Sequence, residues 1–384
     1  MYLFYGKKNK LSRRKILSGV GTSIAVASFS KTASASGVKI QDEDTIDIVT
    51  IRQGDDPVKR ENVPKKWWKH ITQIRQKQEK LSSTILNNDS VISVGRKIDD
   101  RSKTQGNNDR KLSVKLEKGE ELSTTIPRSI NNVPIEVEKF GELKEECSDE
   151  ICNDNTYDPI PGGAQLSHED VPCYFTATCK VNVNGDPRLM TTSHAYIDSC
   201  SDSVSKETTQ TSDIIGSNSS NILDYDHDFT VVKNESSQVS GFKDSVLHTK
   251  DGKQLGVSGH VTEDGIDYYT GDTFYKYGTR TCRTDGPLTS VDDGGKCSDS
   301  PDIFYTDIYS DSNDSGAPHY RVWEDDGNCD WAAILGVHIG SPSGSNKLKA
   351  YGCTAYSIKD YWADPARGGY DIEFGPDWNG PCLW

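Results

Sequence analysis

Asn313-Asp314-Ser315-Gly316-Ala317-Pro318 follows a strand-like run, Ile303–Ile308. Glycine after the serine lets the backbone turn sharply, leaving the hydroxyl exposed and its own N–H able to face a substrate oxygen. Ordinary polar turns use the same residues, and this chain is rich in all three, so the motif alone decides nothing. A serine at its normal pKa is a poor nucleophile and needs a general base held by a third group. Eight histidines compete for that role. His194 stands out because Leu189-Met190-Thr191-Thr192-Ser193-His194 is an apolar strand end followed by small residues, from which an imidazole can project into a cleft. His70, His168 and His248 read as surface residues. For the orienting acid, Asp228 heads the apolar run Asp228-Phe229-Thr230-Val231-Val232, where a carboxylate can be partly buried. Asp224 and Asp226 lie close by and stay open as alternatives.

The elements that must hold these residues are short strands. From about residue 160 to 384, apolar runs such as Tyr174–Val183, Phe229–Val232, Val257–Val261, Asp302–Tyr309 and Ala332–Ile339 alternate with turn signals, at the spacing of an all-β sandwich or barrel. Residues 40–142 read differently. Thr45–Ile51 alternates like a strand, and Trp67, Ile71, Ile74, Leu81 and Ile85 fall on one helical face with Gln78 filling the gap. Pro64 suits the start of that helix, and strands follow at Val91–Val94, Leu112–Leu116 and Val133–Val137. The expectation is a small α+β domain, pro-domain or accessory, over 40–142, a connector over 143–165 and a mainly β domain over 166–384.

Net charge is -14, and residues 1–36 carry seven Lys or Arg and no acid, so the remainder is more acidic still. Such a surface repels nucleic acid and anionic membranes and suits a protein that stays soluble in high salt, as in a halophile. Ser12-Arg13-Arg14-Lys15-Ile16-Leu17, the modestly apolar stretch to Phe29 and the small residues Ala33-Ser34-Ala35 have the layout of a twin-arginine export signal over 1–35. The mature chain is expected outside the cytoplasm, a monomer off the membrane, with ten cysteines available for disulfides.

Taken together, the three stretches resemble the chymotrypsin/trypsin family of serine proteases, in its bacterial and archaeal branch. That family presents its triad in the order His, Asp, Ser. Its His follows Thr-Ala-Ala or Thr-Ala-Gly, its Asp heads an Asp-(Ile/Phe)-Ala-Leu-like strand, and its Ser sits in Gly-Asp-Ser-Gly-Gly-Pro. Thr192-Ser193-His194, Asp228-Phe229-Thr230-Val231 and Asn313–Pro318 match in that order, over about residues 160–365. The resemblance implies a chymotrypsin-like double β-barrel, a catalytic triad of His194, Asp228 and Ser315, and peptide or protein substrates, with no cofactor or metal. It also implies an oxyanion hole from the N–H groups of Asn313 and Ser315, and substrate contacts from Tyr309 at the pocket base and from Ile339, Gly340 and Ser341. Cys179 and Cys200 flank His194 like the disulfide that staples the family's histidine loop. Cys282–Cys297 and Cys329–Cys353 are the next candidate pairs, which leaves Cys147–Cys152 and Cys173–Cys382.

Departures from the pattern are few. Asn313 replaces a glycine, Ala317 replaces another, and Ile339 stands where a serine usually begins the substrate-pairing strand. Ile160-Pro-Gly-Gly163 follows Pro159 rather than a basic residue, so activation by a new N-terminus is not expected and Asp314 should find an internal partner. Two functions compete: an exported serine endopeptidase, or a non-catalytic relative that binds peptides or proteins.

Overall fold

The computed structural model describes residues 44–375, apart from 87, 89, 99–109, 118, 120–125, 141–151, 153, 169–170, 198–204, 225–226, 295–300, 326–328 and 342–348. The export-signal reading therefore lies outside the described residues. The chain begins with β1 (Thr45–Gln53), β2 (Asp56–Pro64), helix α1 (Lys65–Ile85), β3 (Val91–Ile98), β4 (Arg110–Glu117), β5 (Ser129–Ile130) and β6 (Val133–Phe140). Next come β7 (Ile160–Gly162), β8 (Gln165–His168), β9 (Val171–Thr176), β10 (Cys179–Val183), β11 (Asp186–Thr191), β12 (Glu207–Gln210), β13 (Asp213–Asp224), β14 (Phe229–Asn234), β15 (Phe242–Leu247) and β16 (Gln254–Val261). Helix α2 (Glu263–Tyr269) leads into β17 (Thr273–Gly278), β18 (Cys282–Gly294), β19 (Asp302–Thr306), β20 (Pro318–Asp325), β21 (Cys329–Gly340), β22 (Ala350–Thr354), α3 (Ala355–Ala363) and β23 (Ile372–Phe374).

Six of these strands close on themselves. β17 pairs with β18, β18 with β19, β19 with β22, β22 with β21, β21 with β20, and β20 with β17. Numbered within the ring, the spatial order is 1-2-3-6-5-4, and β18 and β21 also pair outward with β3 and β16. A second sheet runs β23-β10-β11-β14-β13-β12-β8-β9. The fold is mainly β and of the chymotrypsin-like double-barrel class. Leu166, Phe175, Leu189, Ile215 and Val232 fill one core. Leu288, Val291, Phe304, Ala333 and Leu335 fill another, and period-2 alternation along the strands is what sends these side chains inward.

The N-terminal strands share the sheet of the closed ring. β1 pairs antiparallel with β16, and β3 lies antiparallel to β18 with Val291 opposite Arg96. Asp44–Trp384 forms one compact unit. Helix α1 buries Ile71, Ile74, Leu81 and Ile85 as the periodicity predicts, and Gln78 is buried with them. The Gln78 amide donates to Val94 O (3.0 Å) and Asp293 Oδ1 (2.8 Å), while its Oε1 accepts from Arg96 Nη1 (2.7 Å). A polar residue on an apolar face is thus fully hydrogen-bonded, which offsets its burial. His168, expected at the surface, is buried, stacks on Tyr196 with ring centroids 5.4 Å apart and hydrogen-bonds Ala195 O (2.6 Å).

The cysteine expectations need correction. Cys152 is bonded to Cys282, not to Cys147, and Cys282 therefore does not pair with Cys297. The physical reason is local: Cys152 N donates to Thr279 O (2.7 Å), which lays the connector beside the β17–β18 turn and brings the two Cα atoms to 5.6 Å, within disulfide reach. Cys179 and Cys353 are buried free thiols in β10 and β22, so neither forms the pair expected with Cys200 or Cys329. Both sit in the packed core, where burial pushes their thiol pKa values up and keeps them protonated. Cys147, Cys200, Cys297 and Cys382 lie outside the described residues, as do the side chains of Cys173 and Cys329.

Candidate active site

Asp228 occupies the turn into β14 with φ 46°, a left-handed conformation that is unusual for a residue with a side chain. That turn buries the carboxylate under the strand end carrying His194. Asp228 Oδ1 accepts from the N–H groups of Ser193 (3.1 Å) and His194 (2.9 Å), and from the hydroxyls of Thr192 (2.8 Å) and Ser193 (3.0 Å). Its Oδ2 faces His194 Nδ1 at 2.5 Å. A carboxylate held this way fixes the ring with its proton on Nδ1, so the basic lone pair belongs to Nε2. Asp224 is otherwise engaged: its carboxylate takes the N–H (3.2 Å) and Nδ1 (2.8 Å) of His227, and its carbonyl takes the Ser193 hydroxyl (2.8 Å). The structure thus brings Asp228, and not Asp224, onto His194. Asp226 lies outside the described residues.

Ser315 sits in a turn with Asn313 at φ 73° and Gly316 at φ 85°. At Gly316 a side chain is impossible for a second reason. A Cβ would stand 2.2 Å from Thr176 O and 2.6 Å from Thr191 Oγ1, so the turn lies directly against the strand leading to His194. Thr176 N donates to Ser315 O (2.8 Å), and the hydroxyls of Thr176 and Thr178 donate to Asn313 O (2.9 Å) and Gly316 O (2.6 Å). Asp314 anchors the turn from below. It is fully buried and paired with the equally buried Lys276, and it also accepts from Thr281 Oγ1 (2.8 Å) and from the N–H groups of Arg280 (3.0 Å), Thr281 (3.1 Å) and Asp311 (3.1 Å). Asp314 therefore has an internal partner, as expected from the missing activation sequence. Lys276 itself was not singled out as that partner, although a lysine amid Phe274, Tyr275 and Tyr277 was the available signal.

Ser315 is half-buried, and its Oγ donates to Ile339 O at 3.5 Å; among the described residues it makes no hydrogen bond to His194. No acceptor among the described residues takes the Ser315 N–H. Ile339 is buried, while Gly340 and Ser341 are half-buried at the end of β21. Tyr309, six residues before Ser315, is 37% exposed, and its hydroxyl meets Asp311 Oδ2 at 3.2 Å. Its neighbour Ser310 is buried, with a hydroxyl that has no partner among the described residues.

Two further histidines went unnoticed in the sequence. His338 N donates to Ala317 O (2.9 Å) and His338 O accepts from Gly316 N (2.8 Å), so β21 is fastened to the two residues after Ser315. The His338 ring stacks on His319, with Nδ1 3.2 Å from His319 Nε2. A histidine inside each of two apolar strands, Pro318–Val322 and Ala332–Ile339, was the signal available.

Among the described residues no cluster of His, Cys, Asp or Glu is arranged to hold a metal ion, and no helix is long and apolar enough to cross a membrane. No protein-family model matches the chain, and no curated protein matches it. Solved structures do. One, described as a glutamic acid specific serine protease that utilizes a novel histidine triad in substrate binding, is 17% identical with a TM-score of 0.41, over 56% of this chain and 100% of the other. Thermobifida fusca Protease A is 14% identical with a TM-score of 0.39, over 56% of this chain and 98% of its own. Cellulomonas bogoriensis chymotrypsin is 16% identical with a TM-score of 0.39, over 57% of this chain and 100% of its own. The likeness is one of fold.

Proposed function

We propose that this chain is an exported serine endopeptidase, with Ser315 as nucleophile, His194 as general base and Asp228 as the acid that orients it. The observation that carries this reading is the seating of His194 on Asp228, at 2.5 Å through the ring and 2.9 Å through its N–H, beside the strained turn of Ser315. Ser315 Oγ attacks a peptide carbonyl as His194 Nε2 takes its proton, giving a tetrahedral intermediate. His194 returns that proton to the leaving amine, and water then hydrolyses the acyl-enzyme by the same route. The N–H groups of Ser315 and Asn313 serve the developing oxyanion; each such donor is typically worth about 3 kcal/mol in the transition state. The left-handed φ of Asn313 supports its taking the place of a glycine there.

A second reading, a non-catalytic peptide-binding relative, has one observation in its favour: the Ser315 hydroxyl hydrogen-bonds Ile339 O instead of His194. Labelling with a fluorophosphonate separates the two. Wild-type protein should label at Ser315 in low or high salt, and Ser315→Ala and His194→Ala should not. Absence of labelling in wild type under every condition would sink the endopeptidase.

The twin-arginine motif and the Cys152–Cys282 bond support an extracellular destination. N-terminal sequencing of protein from culture fluid should give a start near Ser36. Residues 44–140 are proposed to be an accessory layer retained in the mature enzyme, because β1 and β3 are paired with β16 and β18.

A further inference from the structure

Four donors converge on Asp228 Oδ1, and two of them are side-chain hydroxyls, those of Thr192 (2.8 Å) and Ser193 (3.0 Å). The N–H groups of Ser193 and His194 supply the other two and would remain whatever the side chains were. The hydroxyls would not. Thr-Ala-Ala and Thr-Ala-Gly carry none at the two positions that this chain fills with Thr192 and Ser193. Both residues are fully buried, directly after β11, where a hydroxyl needs a partner and the direction of its hydrogen is informative. Thr192 Oγ1 also lies 2.7 Å from His194 Nδ1. A hydroxyl has one hydrogen and an ionised carboxylate only accepts, so the Thr192 hydrogen is committed to Asp228. What faces the ring is then an oxygen lone pair, which Nδ1 can approach only as a donor. Nδ1–H thus has two acceptors, Asp228 Oδ2 at 2.5 Å and Thr192 Oγ1 at 2.7 Å. The other tautomer would set a bare nitrogen lone pair against both.

We infer that Thr192 and Ser193 are positioning residues of this site: their hydroxyls fix the carboxylate of Asp228 by its Oδ1, and Thr192 gives the Nδ1–H of His194 a second acceptor. This rests on the endopeptidase reading and adds two residues to its machinery. A carboxylate can turn about its Cβ–Cγ bond, and donors gathered on one oxygen hold its plane so that the other oxygen stays on the ring. Ser193 extends the brace. Its hydroxyl also reaches Asp224 O (2.8 Å), and the Asp224 carboxylate holds His227 Nδ1 (2.8 Å), so the turn into β14 is tied to the end of β11 from both sides. When His194 takes the Ser315 proton, the charge that develops on the ring meets acceptors already in place, with no reorganisation at that moment. Because Thr192 is fully buried, its hydroxyl serves this step and not the surface that substrate meets.

The test uses the full chain, with Thr192→Val to remove the hydroxyl at nearly constant shape and Thr192→Ser to keep it. The maximal rate of fluorophosphonate labelling should fall about 10- to 100-fold in Thr192→Val, with the half-saturating probe concentration within about twofold, and Thr192→Ser should stay within about fivefold of wild type. A wild-type rate in Thr192→Val, or an equal loss in a folded Thr192→Ser, overturns the role. A second readout needs no turnover. In the Ser315→Ala chain the His194 Nδ1 proton should give a low-field, slowly exchanging proton resonance. Adding Thr192→Val should broaden or erase it while circular dichroism is unchanged, and an unchanged resonance overturns the role. Loss of the resonance in a chain whose wild type never labels removes the endopeptidase and upholds the brace. Should Thr192→Val fail to fold, Ser193→Ala decides by the same two readouts.

Discussion

At the scale of single residues, Asp228 and the buried histidines give the sharpest tests. Asp228 supplies His194 with both a ring contact and a backbone acceptor, so Asp228→Asn keeps the shape of the loop but reverses the hydrogen bond that sets the tautomer. A loss of about ten-thousand-fold in kcat is expected, with folding retained. Steady-state kinetics and circular dichroism on that variant test it; a loss under tenfold would remove Asp228 from its assigned role. His260 gives a pH test. It is buried against Phe374, its Nδ1 has no partner among the described residues, and its pKa is lowered to about 3 from 6.5, chiefly by burial. A folded pKa below the unfolded one means that the unfolded chain binds the extra proton first. The contribution is therefore intact above about pH 6.5 and is lost as pH falls toward about 3, at about 1.4 kcal/mol per pH unit for each such group. His319 and His338 are shifted in the same direction and add to the slope. Urea melts of wild type and His260→Phe between pH 7 and 4 should show a shallower decline in the variant; identical slopes would mean that His260 is not buried neutral.

At the scale of elements, the junction between α1, β3 and α2 is a buried charge cluster. Asp267 of α2 takes Arg75 Nε (2.6 Å) and Arg96 Nε (2.7 Å), and its carbonyl takes Arg110. Among the described residues Arg110 Nε and Nη1 have no partner, and burial drives its pKa down to about 10. Replacing Asp267 by Asn removes the buried counter-charge from Arg96 and Arg110, while Arg75 keeps Asp264 (2.8 Å) and Glu263 (3.3 Å) and Arg96 only a longer contact with Glu263 (3.6 Å). A cost of about 3–5 kcal/mol is expected, since removing one partner of a buried ion pair strands the other. Chemical denaturation measures it, and a change below 1 kcal/mol would show that water relaxes the site. The same element shows what the sequence does and does not reveal. The helix was legible from Ile71, Ile74, Leu81 and Ile85 because burial enforces a period of 3.6. Its docking surface was not, because Gln78 and Arg75 name no partner until Asp293 and Asp267 are brought near from about 190 residues away or more. The three residues of the proposed triad could be picked out because each lies in a local motif, and the contact of His194 with Asp228 follows from two of those motifs. Lys276, His319 and His338 were not, because their meaning comes from long-range neighbours, and the Cys152–Cys282 bond was missed for the same reason.

At the scale of the molecule, the question is whether residues 44–140 can leave. The body presents buried acids whose partners come from that segment. Asp292 of β18 is fully buried against Lys115 of β4 and accepts the Ser93 hydroxyl at 2.8 Å. Gly95 on β3 is pressed against the same carboxylate, where a Cβ would lie 1.8 Å from Oδ1. Asp293 takes Gln78 and Ser82 of α1 at 2.8 and 2.7 Å, and Asp267 takes Arg75 and Arg96. Removal would expose the edges of β16 and β18, take from Asp292 and Asp267 the cations that pair them, and uncover the apolar surface under the segment, against a total stability of about 5–15 kcal/mol. A chain beginning at residue 143 should therefore express as aggregated or protease-sensitive material with no fluorophosphonate labelling, even where the full chain labels. Purified enzyme from culture fluid should retain the segment when its intact mass is measured. A soluble, labelling fragment from 143 onward would instead make the segment a detachable pro-domain, and the buried pairs would then have to be remade with water or with each other.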